Sequence, residues 1–197
     1  MTATINFNDR EIDQIIRGRK TRHSVLVGAN DNYKSLFPGA IIWVREKHLI
    51  TKQDFKSPRI KLEDGRGYLY YCHGWNLENK FKGKPPSWIT SVKMPKEAAR
   101  VFIVTEGTEV VMLQNIRFDT ALKEGVEMEG GQFYSGIVHD ALNKEVPHGS
   151  ATDAYAELWN HDHKRSGGAI WTDNPPVRAI EFRLLEVKHV EFGDEQS

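Results

Sequence analysis

The sequence predicts a mixed α+β domain, a small barrel of several separated strands with short helices around it. Three observations carry that reading. A capped amphipathic helix opens the chain, β-branched and aromatic runs recur at 41–44, 99–116 and 177–192, and glycine and proline divide what lies between, with no internal repeat.

Composition sets the outer limits. The chain has 197 residues, within reach of one domain spanning 1–197. Apolar residues make up 39% and charged residues 27%, with 27 basic side chains against 27 acidic ones, as in ordinary globular proteins. A chain with no net charge attracts nucleic acid only through a local patch, and long unspecific contacts with a polyanion are disfavoured. The single cysteine, Cys72, excludes an intrachain disulfide, and no Cys-x-x-Cys pair is present to hold zinc. No apolar run approaches the roughly 18 residues of a membrane span, and residues 1–20 lack a signal-peptide core, so a cytoplasmic protein without a membrane partner is expected.

The first helix is the best-marked element. In "FNDREIDQIIRGRK", Asn8 caps the N-terminus with Glu11 as its returning partner, and Phe7 and Ile12 occupy the staple positions. Ile12, Ile15 and Ile16 form one apolar stripe, and Gly18 closes the helix. Arg19, Lys20, Thr21, Arg22, His23 and Ser24 then follow together, on what reads as a connecting loop. Pro38-Gly39 turns the chain into a buried strand at "IIWV". From about 52 to 90 the sequence reads as a loop-rich insertion with one strand or hairpin. Strand character returns in "ARVFIVTEGTEVVMLQNI", where Glu106-Gly107 suggests a tight turn or a bulge. "DTALKEGV" is a short helix stopped by Gly125, and 127–150 is a second, weakly patterned insertion. Ser150 and Asp153 then cap a helix bearing Tyr155, Leu158 and Trp159, and "VRAIEFRLLEVKHVEF" alternates like a long closing strand.

Several groupings have chemical potential. Arg17, Arg19, Lys20 and Arg22, with Thr21 and Ser24, offer cations and hydroxyls that can cradle a phosphate, or simply form a solvated loop after a helix. Gly18-x-Lys20-Thr21 resembles the end of a P-loop, but position 13 is Asp and a helix precedes, so that reading fails. Trp43 and Arg45 can stack on a base, or be a core tryptophan beside a surface arginine. His161-x-His163 with Asp162 lacks a third ligand nearby, and no metal or other cofactor is expected. Cys72 and His73 are adjacent on a strand, point to opposite faces, and read as structural. Lys20 and Glu124 each stand beside a glycine at the end of a short element, so both can point into one cleft, where a lysine beside a carboxylate becomes a tunable acid or base.

In order, "IIRGRKT", "PGAIIWVRE", "VKMPKEAARVFIVT", "LQNIRFDTALKEGV", "ELWN" and "NPPVRAIEF" resemble the ASCH-domain family, in particular its longer phage and prophage form, over about Asp9 to Phe182. The resemblance implies a compact PUA-like β-barrel flanked by short helices, with insertions at about 52–90 and 127–150. It also implies a partner that is RNA or a nucleoside or nucleotide. Some small members of the family are amidohydrolases acting on N4-acylated cytidine, and ribonuclease activity has been proposed for others. In the amidohydrolases the working residues are a lysine after the first helix, a threonine three positions later and a glutamate in the second helix. Lys20 and Glu124 fall on the first and third. The second position holds His23, between Arg22 and Ser24, and Thr21 or Ser24 is left to supply the hydroxyl.

The expected function is recognition of RNA or a nucleobase-containing ligand in a nucleotide-sized pocket. Arg19, Arg22, Trp43 and Arg45 bind there, beside Lys20, Thr21 and Glu124. The first alternative is a hydrolase, an amidohydrolase or a ribonuclease, that draws on Lys20, Glu124, Thr21, His23 and Ser24. The second is a phage module that engages a host protein through its insertions.

Overall fold

Asn8 and Glu11 form the predicted capping box. The Glu11 amide donates to Asn8 Oδ1 and the Asn8 amide to Glu11 Oε2, each at 3.0 Å. In this computed structural model, which describes residues 3–28, 32–52, 59–62, 67–72, 87–139, 144–164 and 167–188, helix α1 follows as Asp9–Ile16. Its Ile12 and Ile15 are buried, and Gly18 ends it at φ +69°.

The strands are β1 (Ala3–Asn6), β2 (Arg22–Leu26), β3 (Ile41–Arg45), β4 (His48–Thr51), β5 (Arg59–Leu62), β6 (Gly67–Tyr71), β7 (Val101–Met112), β8 (Glu127–Glu129), β9 (Gln132–Tyr134), β10 (Val138–His139), β11 (Lys144–Glu145) and β12 (Pro176–Val187). Helix α2 is Phe118–Lys123 and helix α3 is Ala151–Lys164. The principal sheet has the order β1-β3-β7-β12-β2. This is the α+β class the sequence predicts, with strands predominating.

The chain divides into two units, with β7 and β12 contributing to both. In the first unit β1 runs parallel to β3, with Ala3 opposite Ile42 and Ile5 opposite Val44. Strands β4, β6 and β5 form an antiparallel sheet in that order, in which the 52–90 segment supplies the antiparallel pair β5 and β6, the one hairpin expected there. Trp43, Leu69, Tyr71, Met94, Ala98 and Ala99 make this unit's core. Within it Glu46, fully buried, accepts Arg100 Nη2 at 2.7 Å and Nε at 3.0 Å, while the guanidinium lies 4.2 Å from the Tyr71 ring centre.

In the second unit β2 pairs antiparallel with β12, His23 opposite Ile180. Helices α2 and α3 pack over a core of Leu113, Ala121, Val126, Ala154, Tyr155, Leu158 and Trp159. Ser150 caps α3 as predicted, its Oγ accepting the Asp153 amide at 3.1 Å. Strands β8 and β9 form a tight hairpin through Gly130 and Gly131, whose positive φ values of +57° and +81° fit a two-residue turn.

Two expectations are corrected. The chain does not turn at Glu106-Gly107, because β7 runs through it without interruption. Nor do Arg22, His23 and Ser24 lie on a loop: the connection after α1 is only a few residues long and β2 begins at Arg22. The Thr21 amide donates to the Lys123 carbonyl at 2.9 Å, and the Phe182 amide donates to the Thr21 carbonyl at 2.9 Å. These two bonds draw the segment straight into the ladder.

Candidate functional site

Entry into β2 decides which side chains meet. Successive residues of an extended chain face opposite ways, so Lys20, Arg22 and Ser24 share the buried side while Thr21 and His23 take the other. Glu124 comes to the same place from the end of α2, where it is the C-cap residue, and Gly125 turns the chain away at φ +106°.

All three even-numbered side chains converge on Glu124. Ser24 Oγ donates to Oε1 at 2.5 Å and the Ser24 amide to Oε2 at 3.3 Å. Lys20 Nζ donates to the Glu124 main-chain carbonyl at 2.6 Å and lies 3.5 Å from Oε2. Arg22 Nε sits 3.6 Å from Oε1, an ion-pair separation too long for a hydrogen bond, and makes none. Tyr155, from α3, closes the group. Burial pushes its phenol well above the usual range, the nearby Glu124 charge adds to this, and a hydrogen bond with Ser24 opposes it. Lys20 and Glu124 retain only 3% and 2% of their exposure.

The surrounding charges are paired. Arg22 Nη1 reaches Glu109 at 3.2 Å and Glu181 at 3.4 Å, Arg19 reaches Glu127 at 3.4 Å, and Lys123 reaches Glu181 at 3.5 Å. Four cations, Arg19, Lys20, Arg22 and Lys123, therefore face four carboxylates, Glu109, Glu124, Glu127 and Glu181. The concentration of positive charge at 17–22 is balanced in space by acids that lie far away in sequence.

The remaining candidates sit elsewhere in the chemistry. Thr21 and His23 do not join the Glu124 group, because strand alternation turns them away. Trp43 is a core residue, 7% exposed, with the Arg45 guanidinium 4.9 Å from its ring centre. Of the two readings the sequence left open, its burial accords with the core tryptophan. Cys72 donates to Asp9 Oδ2 at 3.2 Å, and burial together with that bond pushes its thiol up to about 12, far from a reactive thiolate. His73 lies outside the described residues. His161 pairs with Asp162, and His163 stacks on Trp159 at 3.7 Å and bonds its carbonyl. Among the described residues no group of three or more His, Cys, Asp or Glu side chains is placed to hold a metal ion.

Sequence reasoning missed a second cluster, around Glu157 of α3. Its Oε1 meets His139 Nε2 at 2.7 Å, and its Oε2 meets His148 Nε2 at 2.9 Å and the Ser135 hydroxyl. Burial alone would raise the Glu157 carboxyl, but the bonds from Ser135, His148 and His139 outweigh it and hold the group below its usual value. Histidines 139 and 148, each in weakly patterned sequence, were its only sequence trace.

Comparison with known proteins gives no matching family model and no matching curated protein. Two solved structures are similar to the chain. One is a protein from Enterococcus faecalis V583 assigned to the family model DUF984, with 10% identity and a TM-score of 0.43, covering 95% of this chain and 78% of the other. The second is an ASCH domain from Lactobacillus crispatus JV V101, with 13% identity and a TM-score of 0.37, covering 87% of this chain and 68% of the other. Both scores lie below one half, and what this chain does rests on its own residues.

Proposed function

We propose that Lys20, Ser24 and Glu124 are the working groups of a hydrolase that cleaves the amide of an N-acylated nucleobase. N4-acylated cytidine is the substrate that the ASCH resemblance suggests. The convergence of a hydroxyl and an ammonium on one buried carboxylate supports this reading above all. A hydroxyl donating to a carboxylate at 2.5 Å is poised to lose its proton as its oxygen attacks. Ser24 takes the place of the threonine in the family pattern, four residues after Lys20 and not three, because four keeps it on the lysine's side of an extended segment.

In this mechanism Ser24 Oγ forms a bond to the amide carbonyl carbon while Glu124 takes its proton. Arg22 stabilises the developing oxyanion. The C–N bond then breaks, and the leaving exocyclic nitrogen takes a proton from Lys20. Water, losing a proton to the now neutral Lys20 amine, attacks the acyl ester, the acyl group leaves as the free acid and ionises to its carboxylate in solvent, and Glu124 returns its proton to Ser24 Oγ. Phosphate need not be bound, which suits a group whose cations are already matched by carboxylates.

A second reading is recognition of RNA or a nucleobase without turnover. The low exposure of Ser24, 7%, favours it, since an attacking group must reach its substrate. The test incubates wild type, Ser24→Ala, Ser24→Thr and Lys20→Ala with N4-acetylcytidine, unmodified cytidine and a labelled RNA. Released acetate and bound fraction are both followed. Hydrolysis by wild type, lost by at least about a hundredfold in Ser24→Ala and partly kept in Ser24→Thr, is expected. Binding that depends on Lys20 without hydrolysis establishes the reader. Absence of both moves the interaction with a host protein to first place.

A further inference from the structure

Helix α3 carries Glu157, Asn160, His161 and Lys164 at the i, i+3, i+4, i+7 spacing that puts them on one face. Across from them stand Ile137, Val138 and His139, and the two walls enclose an open groove of about 730 Å³. That volume falls within the range of small-molecule sites. The Glu157 cluster builds the groove. It holds Ser135, His139 and His148 on one carboxylate of the helix.

The lining has a definite hydrogen-bonding sense. The acceptor atoms of Glu157 are used by three donors. Asn160 Oδ1 is taken by the Trp171 amide at 2.7 Å, which leaves its NH2 group to donate. His161 Nδ1 faces Asp162 at 3.0 Å, leaving Nε2. His139 Nε2 faces Glu157, leaving Nδ1. Lys164 contributes an ammonium that makes no ion pair among the described residues. Lys164 and the Asn160 NH2 thus donate into the groove, the remaining nitrogens of His139 and His161 donate when each ring carries its second proton, and Ile137 with the exposed Val138 adds apolar lining.

We propose that this groove is a binding site for a small phosphomonoester, with the phosphate held by Lys164 and by His161 and His139 in their protonated, doubly donating form, and the organic part lying on Ile137 and Val138. A phosphate presents several strong acceptors and needs a charge partner, which Lys164 supplies. The site is separate from the Glu124 group and does not depend on any activity there.

The test titrates the protein with cytidine monophosphate, with cytidine and with inorganic phosphate at constant ionic strength, following the imidazole C–H resonances of His139 and His161 by NMR. The monophosphate is expected to shift both resonances and to bind more tightly than either fragment. Lys164→Ala should weaken it roughly tenfold, about 1.4 kcal/mol, Lys164→Arg should keep most of the affinity, and Ser24→Ala should leave it unchanged. Equal affinity for cytidine and its monophosphate overturns the proposal, as does a Lys164→Ala variant that binds like wild type. Failure of acetylcytidine hydrolysis leaves these readouts untouched, so the two ideas fail separately.

Discussion

Replacing Glu124 by Gln tests whether the buried polar group behaves as one unit. The substitution keeps the shape and an acceptor for Ser24 Oγ but removes the charge that faces Lys20 at 3.5 Å and Arg22 at 3.6 Å. Arg22 keeps Glu109 and Glu181. Lys20 keeps the Glu124 main-chain carbonyl at 2.6 Å, but its ammonium, 3% exposed, loses the carboxylate that faces it. Breaking a buried pair from one side costs about 3–5 kcal/mol, and the retained carbonyl bond places this case near the lower figure, about 3 kcal/mol. For a chain of this size that corresponds to a fall in Tm of about 6–12 °C. Urea unfolding followed by tryptophan fluorescence measures it. The double variant Lys20→Met/Glu124→Gln removes the stranded charge, and its cost should fall short of the summed single costs by about 1–3 kcal/mol. Additive costs, or a loss below about 1 kcal/mol in Glu124→Gln, would refute the reasoning: Lys20 would then be solvated or partnered some other way.

Four further outcomes follow from the rest of the molecule. Arg100→Met strands the fully buried Glu46 carboxylate and should cost about 3–5 kcal/mol in urea unfolding, much of it recovered when Glu46→Met is added. Gly67→Ala should cost about 3 kcal/mol, because its φ is +105° and the new Cβ would lie 2.3 Å from the Thr51 carbonyl oxygen. Gly18→Ala, at φ +69° in open space, should cost only about 1 kcal/mol. Burial holds the His48 imidazole below its usual 6.5 despite the Glu46 carbonyl and charge. Its contribution to stability is therefore complete above pH 6.5 and lost as the pH falls toward the folded-state value, at up to about 1.4 kcal/mol per pH unit while only the unfolded chain takes up the proton. His48→Gln should flatten the stability curve over that interval, and an unchanged slope would assign the titration to another group.

Features with local causes were legible in the sequence. The box of Asn8 and Glu11, the stop at Gly18, the cap at Ser150 and the strand at 41–45 each depend on residues a few positions apart. The approach of Lys20 to Glu124 was also foreseen, since each ends a short element beside a glycine. Long-range pairing was not legible. Nothing near 17–22 announces Glu109, Glu127 or Glu181, so the segment read as a basic patch when it is half of a neutral ion cluster. Strand entry at Arg22 was hidden because its cause is the pairing of 22–26 with β12, on the far side of the sequence. The Glu157 cluster escaped for the same reason, built as it is from strands of two or three residues with little pattern of their own.

The alternation along 20–24 carries a genetic consequence. The group around Glu124 is defined by parity: deleting one residue between Gly18 and Lys20, with β2 held in place by its ladder, would leave Lys20, Arg22 and Ser24 untouched, whereas deleting Thr21 would move the lysine to the opposite side of the strand from the serine. Two lesions separated by a single codon would thus differ completely in effect, one altering the link to α1 and the other dismantling the buried Glu124 group. Relatives that carry the hydroxyl an odd number of residues from the lysine would need a bulge or a non-extended step in between, so the count of residues in this segment marks which backbone path a given sequence follows.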